Sequence, residues 1–298
     1  MRATDESGID VVRQMLGAKA RPVGWAERRA RIVEVGGAWP VADDIAFETV
    51  DAGGVRAEWS RVPGADTSRV LLFLHGGGYC SGSLASHRTM ATEAGRAAGI
   101  STLALEYRLA PEHPYPAALD DARAAWNWLE REGFAADRIV VGGDSAGGNL
   151  SLALWRDLRD AGRPAPAALW LASPWTDLTV SGASIDDNDA IDPLLHRAYL
   201  EELAAAFVPD GIPHDDPRVS PLFADLTGLP PTLVQVGADE TLLDDSVRLV
   251  RAAALAEADV RLHVFPHMIH AFPLWNAVLP AARAALGEFG MFARTHLP

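Results

Sequence analysis

The sequence predicts an α/β fold: a mostly parallel sheet with helices on both faces and a small helical cap over one edge. Three observations carry this. Short runs of Val, Ile and Leu stop at glycine or a polar residue, as in "RVLLFLH" and "RIVVGGDS", the pattern of strands buried on both faces. These runs alternate with stretches of helical periodicity, and repeated strand–helix–strand order builds parallel sheets. One stretch, 181–217, interrupts the alternation: it is acidic and helical in pattern and holds no strand.

In order along the chain, 1–42 reads as amphipathic helix broken near Pro22 and Pro40, and 46–61 as two strands around a glycine turn. Strand, helix, strand, helix, strand, helix, strand follow at 69–75, 84–99, 100–107, 117–133, 138–145, 146–162 and 167–173. After 181–217 the alternation resumes with a strand at 231–237, a helix from about Leu242, a strand at 260–266 and a last helix. The alternating core is therefore 43–180 and 218–298. Segments 1–42 and 181–217 are expected to form the cap at the C-terminal edge of the sheet, where open α/β sheets bind ligands.

With 298 residues and 49% hydrophobic content the chain can build a large core. Its 26 Lys+Arg against 40 Asp+Glu leave a net charge of −14. That field repels phosphate backbones and anionic lipid, so neither nucleic acid nor membrane is an expected partner. No apolar run approaches a membrane span, and the N-terminus carries acids where a signal peptide has its apolar core, so the expected location is cytoplasmic. The single cysteine, Cys80, excludes an internal disulfide and a cysteine zinc cluster, and reads as a small packing residue beside a turn.

Two stretches carry chemistry. "VVGGDSAGGNL" contains a G-x-S-x-G at 143–147, between a strand and a helix. In that context the motif is a sharp turn that exposes a serine nucleophile, here Ser145. A Cβ two residues to either side would collide, hence Gly143 and Gly147. The helix that follows offers free N–H groups and the positive end of its dipole. The second stretch is "LHGGGYC", three glycines at the end of a buried strand. Glycine is costly to order, and its use here fits close backbone approach to a developing oxyanion, which needs donors at about 2.7–3.1 Å. Gly77 and Gly78 are the expected donors with Ala146, Gly76 shapes the turn, and His75 orients the loop.

Taken together, "HGGGY", "YRLAPEHPYPAALDD", "GDSAGGNL", "SPWTDLT", "SPLFADLTGLPP" and "HAF" resemble the hormone-sensitive-lipase-like family of α/β-hydrolases, the bacterial carboxylesterases with an HGGG signature. The resemblance implies the α/β-hydrolase fold with an eight-stranded, mostly parallel sheet and a helical cap. It implies a serine carboxylesterase acting on short- to medium-chain acyl esters, without metal or cofactor, through an acyl-enzyme. Its partner is a small-molecule ester, and a homodimer is open. By the same resemblance the triad is completed by Asp239, just after the strand 231–237, and by His270 of "HAF". The family's usual Asp-Pro-Leu is replaced here by "DETLLDDS", which leaves Asp244 and Asp245 as rivals, expected to face solvent or cap helix N–H groups. His267 is read as bracing the loop, and histidines 87, 113, 196, 214, 263 and 296 as surface or loop residues.

Other readings stay open. "VGADETLLDDSVRL" is similar to a branch that includes epsilon-lactone hydrolases, and a lactone or an amide would use the same triad. A non-catalytic ligand-binding protein, like the plant gibberellin receptors that resemble this family, would lack His270. A true lipase would need a longer apolar cap face. Trp25, Trp39, Tyr79, Leu194, Leu195, Tyr199 and Phe207 are candidates for the pocket or for packing.

Overall fold

The computed structural model describes residues 3–298; the first two residues of the 1–42 stretch lie outside the described residues. The chain opens with α1 (Ala3–Gly17) and α2 (Trp25–Gly36), then β1 (Ala46–Asp51), β2 (Arg56–Arg61), β3 (Asp66–Leu74), α3 (Leu84–Ala98) and β4 (Ile100–Leu105). It continues with α4 (Ala117–Arg131), β5 (Ile139–Asp144), α5 (Ala146–Asp160) and β6 (Ala168–Ala172). The strand-free segment holds α6 (Ser184–Asp187) and α7 (Arg197–Phe207). β7 (Thr232–Gly237), α8 (Leu243–Leu255), β8 (Val260–Phe265) and α9 (Pro280–His296) close the chain.

Among the described residues the strands form one eight-stranded sheet in the order β1-β2-β4-β3-β5-β6-β7-β8. β2 runs antiparallel to β1 and β4, and every other neighbouring pair is parallel. The twofold period of a strand puts Leu72 and Leu74 of β3 in the core on one face and Leu71 and Phe73 in the core on the other. Helices α4, α5 and α8 cover the first face, and α3 and α9 the second. This explains the unbroken apolar letters in the central strands: neither face meets water.

The order of strands changes direction at β3, which lies between β4 and β5. The loops leaving β3 and β5 therefore sit side by side at the C-terminal edge, the topological switch point where such sheets bind ligands. Over that edge lie two separate stretches of chain. Arg28 of α2 makes a two-pronged pair with Glu202 of α7 at 2.9 and 2.7 Å, and its guanidinium lies 4.6 Å from the Trp25 ring and 4.7 Å from the Tyr199 ring. α1 reaches further down: Ile9 and Val12 are buried with Phe272, Leu279 and Phe289 in the second core. No helix among the described residues is long and apolar enough to cross a membrane.

Candidate active site

Ser145 occupies the single step between β5 and α5. Its φ of 54° and ψ of −121° lie outside the regions that side-chain-bearing residues ordinarily adopt, and strain of that kind gathers at functional sites. The turn is held by backbone bonds: Ser145 N–H donates to Ala172 O at 2.9 Å, and Ser145 O accepts from Gly148 at 3.0 Å and Trp175 at 3.1 Å. The glycines at its flanks are steric necessities. A Cβ on Gly143 or Gly147 would run into the carbonyl oxygen of Leu74, and one on Gly148 would come within 2.8 Å of Pro174.

The loop after β3 lies against this turn. Gly77 and Gly78 have φ of 115° and 63°, left-handed values that favour glycine. A Cβ on Gly77 would strike Ser81 O, and one on Gly78 would lie 2.6 Å from the Leu203 side chain. Gly76 N–H donates to Asp144 Oδ1 at 3.0 Å, so this glycine is engaged in the loop itself. The N–H groups of Gly77, Gly78 and Ala146 donate to no acceptor among the described residues.

A buried polar cluster supports the loop from below. His75 stacks on Tyr107 with ring centroids 4.2 Å apart, and its Nδ1 lies 2.9 Å from Gly76 O. Burial, aided by the neighbouring His87, pushes the His75 imidazole down to about 3, so it stays neutral and is no base for the serine. His87 departs from its reading as a surface or loop residue. It is buried on α3, with Nε2 3.3 Å from Asp144 Oδ2 and Nδ1 2.8 Å from Ser86 Oγ. Its spacing from Leu84, Met90 and Ala94 puts it on the apolar face of that helix, a signal the sequence did contain. Burial opposes the charge of Asp144, but the neighbouring histidines His87, His270 and His75 hold its carboxyl below the usual range.

The acid side corrects the sequence reading. Asp239 does not reach His270. Its N–H continues toward Met268 O at 3.0 Å, and its carboxylate pairs with Arg13 of α1 at 3.0 Å. Glu240, fully buried, faces the histidine: Oε1 lies 3.2 Å from His270 Nδ1. Its second oxygen, Oε2, accepts from Ser173 Oγ at 2.7 Å and from Gly237 N–H at 2.8 Å. Ser173 Oγ also accepts the Ala271 N–H at 3.1 Å, joining the acid to the histidine loop. Adjacent side chains leaving a strand point in opposite directions, so Asp239 faces out and Glu240 in. Burial works against the His270 imidazolium, but the hydrogen bond and charge of Glu240, with the charges of Asp192 and Asp144, raise its pKa above the ordinary histidine value.

The rivals are elsewhere. Asp244 accepts from Ser184 N–H at 3.0 Å, capping α6 as expected of it. Asp245 does not face solvent: it is buried and accepts from Thr176 N–H at 2.6 Å and Asp177 N–H at 2.8 Å. His267 is exposed, with a φ of 63°. Cys80 is buried and its thiol is pushed up to about 12 by burial, in keeping with a packing role.

Ser145, His270, Gly77 and Gly78 all line one cavity of about 270 Å³. Its walls come from both stretches outside the alternating core, including Ile32 and Val35 of α2 and Leu194, Leu195, Tyr199 and Leu203 of the 181–217 segment. Tyr79 and Phe207 pack instead, their rings stacked 3.7 Å apart. Asn149, which the sequence reading passed over, accepts from Tyr79 Oη at 2.9 Å and donates to Trp175 O and Val219 O at 2.9 and 3.0 Å. It ties the glycine loop to the serine helix. Among the described residues no group of three or more His, Cys, Asp or Glu is placed to hold a metal.

The comparisons with known proteins agree with this architecture. A family described as alpha/beta hydrolase fold matches residues 71–274. An acetyl-hydrolase of Streptomyces hygroscopicus is 44% identical over 248 residues, 83% of this chain and 82% of its own. An esterase of Acinetobacter venetianus is 37% identical over 255 residues, 86% of this chain and 84% of its own. The crystal structure of an esterase from the bacterial hormone-sensitive lipase family superposes with a TM-score of 0.95 at 40% identity, over 100% of this chain and 99% of the other. The chain thus belongs to the α/β-hydrolase-fold family, among its bacterial hormone-sensitive-lipase-like members.

Proposed function

We propose that the protein is a serine carboxylesterase that hydrolyses short- to medium-chain acyl esters, with Ser145 as nucleophile, His270 as base and Glu240 as the carboxylate behind it. The observation that carries the reading is the buried 3.2 Å contact between Glu240 and His270 Nδ1, just behind the cavity that His270 and the strained Ser145 both line. With Nδ1 occupied by the acid, Nε2 is the nitrogen left to take the serine proton. As Ser145 Oγ attacks the ester carbonyl, Gly77, Gly78 and Ala146 offer their unpartnered N–H groups to the oxyanion. His270 then protonates the departing alcohol. Water, deprotonated by the same imidazole, releases the acid from the acyl-enzyme. Relatives named acetyl-hydrolase and esterase support the substrate class.

The cavity volume supports the size range. Each buried methylene adds roughly 0.8 kcal/mol of binding while there is room, and a cavity of about 270 Å³ limits how much of the ester can be buried. kcat/KM is expected to rise from acetyl to about butyryl or hexanoyl esters and then fall. A fluorophosphonate should label the wild type and not Ser145→Ala, whose ester turnover should drop by several orders of magnitude, near ~10⁶ in an analogous serine enzyme. Retention of a tenth of the activity by clean Ser145→Ala would sink the assignment. A rate still climbing at dodecanoyl esters would sink the size range.

A further inference from the structure

We infer that Asp192 is a positioning residue for the reaction: its carboxylate fastens the cavity wall at Leu194 and Leu195 to the loop that carries Glu240. The inference rests on the esterase reading above and concerns how the acid is held.

Asp192 lies in the 181–217 segment, only 2% exposed, and accepts four hydrogen bonds. Oδ1 takes the N–H groups of Leu194 at 2.8 Å and Leu195 at 3.0 Å, and both of these side chains line the cavity. Oδ2 takes the N–H of Thr241 at 2.9 Å and its hydroxyl at 3.1 Å. Thr241 is the residue after Glu240. Nearby, Asn188 Nδ2 donates to Ala238 O at 3.2 Å and Glu240 O at 2.8 Å. Arg13 joins in with one arm on Ile191 O at 2.7 Å and the other on Asp239 at 3.0 Å. Each of residues 238–241 is thereby bonded from the cap side, while Ala238 and Asp239 are bonded from the sheet side to Phe265 O and Met268 O.

A loop can be held by neutral groups, as Asn188 does. A buried carboxylate is a costlier choice, because its charge must leave water. Its charge does something the amide cannot. The acidic groups whose charges act on His270 are Glu240 after β7, in direct contact, and at longer range Asp192 from the cap and Asp144 at the end of β5, which in turn feels His87 and His75. Asp239 is occupied by Arg13 on the outer side of the loop. Asp192 thus adds to the field that favours the imidazolium formed during attack. Its two oxygens also make the placement of the cavity wall and the placement of the acid one event: a substrate that pushes Leu194 and Leu195 outward pulls on Thr241.

The test is the pH dependence of butyryl-ester turnover by Asp192→Asn and Asn188→Ala in the full chain, beside the wild type and Asp189→Asn, a charge removed from the same segment without a bond to 238–241. Asp192→Asn should lower kcat about ten- to a hundredfold, the scale of a misplaced catalytic group, with KM changed far less. Its acid limb in kcat/KM should move to lower pH, because a charge that favours protonated His270 is gone. Asn188→Ala should lower kcat and leave the limb in place, and Asp189→Asn should match the wild type. An Asp192→Asn enzyme with wild-type kcat, or with an unmoved limb, overturns the inference. Should that variant not fold, Thr241→Val keeps the charge and removes one donor; unchanged kcat there overturns it equally. A wild type that turns over no ester and takes no fluorophosphonate label would instead overturn the esterase reading.

Discussion

Around Ser145 the positioning is done by backbone packed so tightly that Gly143, Gly147 and Gly148 have no space for a Cβ; around Glu240 it is done by side chains, with Ser173, Asn188, Asp192 and Arg13 holding a loop of ordinary residues. The two halves fail differently. A half built by steric exclusion cannot absorb even a methyl group, because carbonyl oxygens of neighbouring strands do not move independently of the sheet. A half built from hydrogen bonds can lose one and survive at reduced alignment. The first half therefore governs whether the protein folds, and the second governs how fast a folded protein works.

The largest effect that would sharpen this contrast is on the steric side. In Gly147→Ala the new Cβ meets Leu74 O and comes within 2.8 Å of His75 O, both backbone. Overpacking against atoms that cannot yield should cost about 3 kcal/mol or more, read as lost soluble protein or a large fall in the urea midpoint. A normally stable Gly147→Ala would mean the turn has slack, and the contrast between the halves would dissolve.

A smaller effect lies on the hydrogen-bonded side, at Asp245. Burial pushes its carboxyl up to about 7 from an ordinary value of 3.8. Between those values the folded chain binds more protons than the unfolded one, so this group's contribution to stability declines as pH rises through that window. Asp245→Asn should flatten that part of the stability profile and leave kcat near wild type. A large loss of kcat would place Asp245 in the catalytic arrangement and undo the separation drawn here between Glu240 and its neighbours.

The same contrast decides what could be read from the letters. Steric exclusion writes itself as glycine, so "HGGG" and "GDSAGG" announced the tight glycine loop and the serine turn, and unbroken apolar runs announced a sheet covered on both faces. Hydrogen-bonded placement leaves no such mark. In "ADETLLDDS" four carboxylates occur within seven residues, and which one meets His270 depends on the direction in which the chain leaves β7. The partner that draws Asp239 away, Arg13, lies 226 residues earlier in the chain. Glu240 was adjacent to the expected acid and one methylene longer, yet only the fold shows that it points inward. The burial of His87 was legible in the helical spacing of "LASHRTMATEA", but its partner, Asp144, was not, because it lies 57 residues further along at the end of β5.

The central claim is that the acid behind His270 is Glu240 and not Asp239, and steady-state kinetics of two isosteric variants on one butyryl ester test it. Glu240→Gln cannot fix the imidazole tautomer, and kcat/KM should fall by a factor approaching ~10⁴, the size of the effect in an analogous triad, with the protein still folded. Asp239→Asn loses only its part-exposed pair with Arg13 and should stay within about tenfold of wild type, since pairs of that kind contribute little. The reverse outcome, a crippled Asp239→Asn beside a near-normal Glu240→Gln, would contradict the assignment.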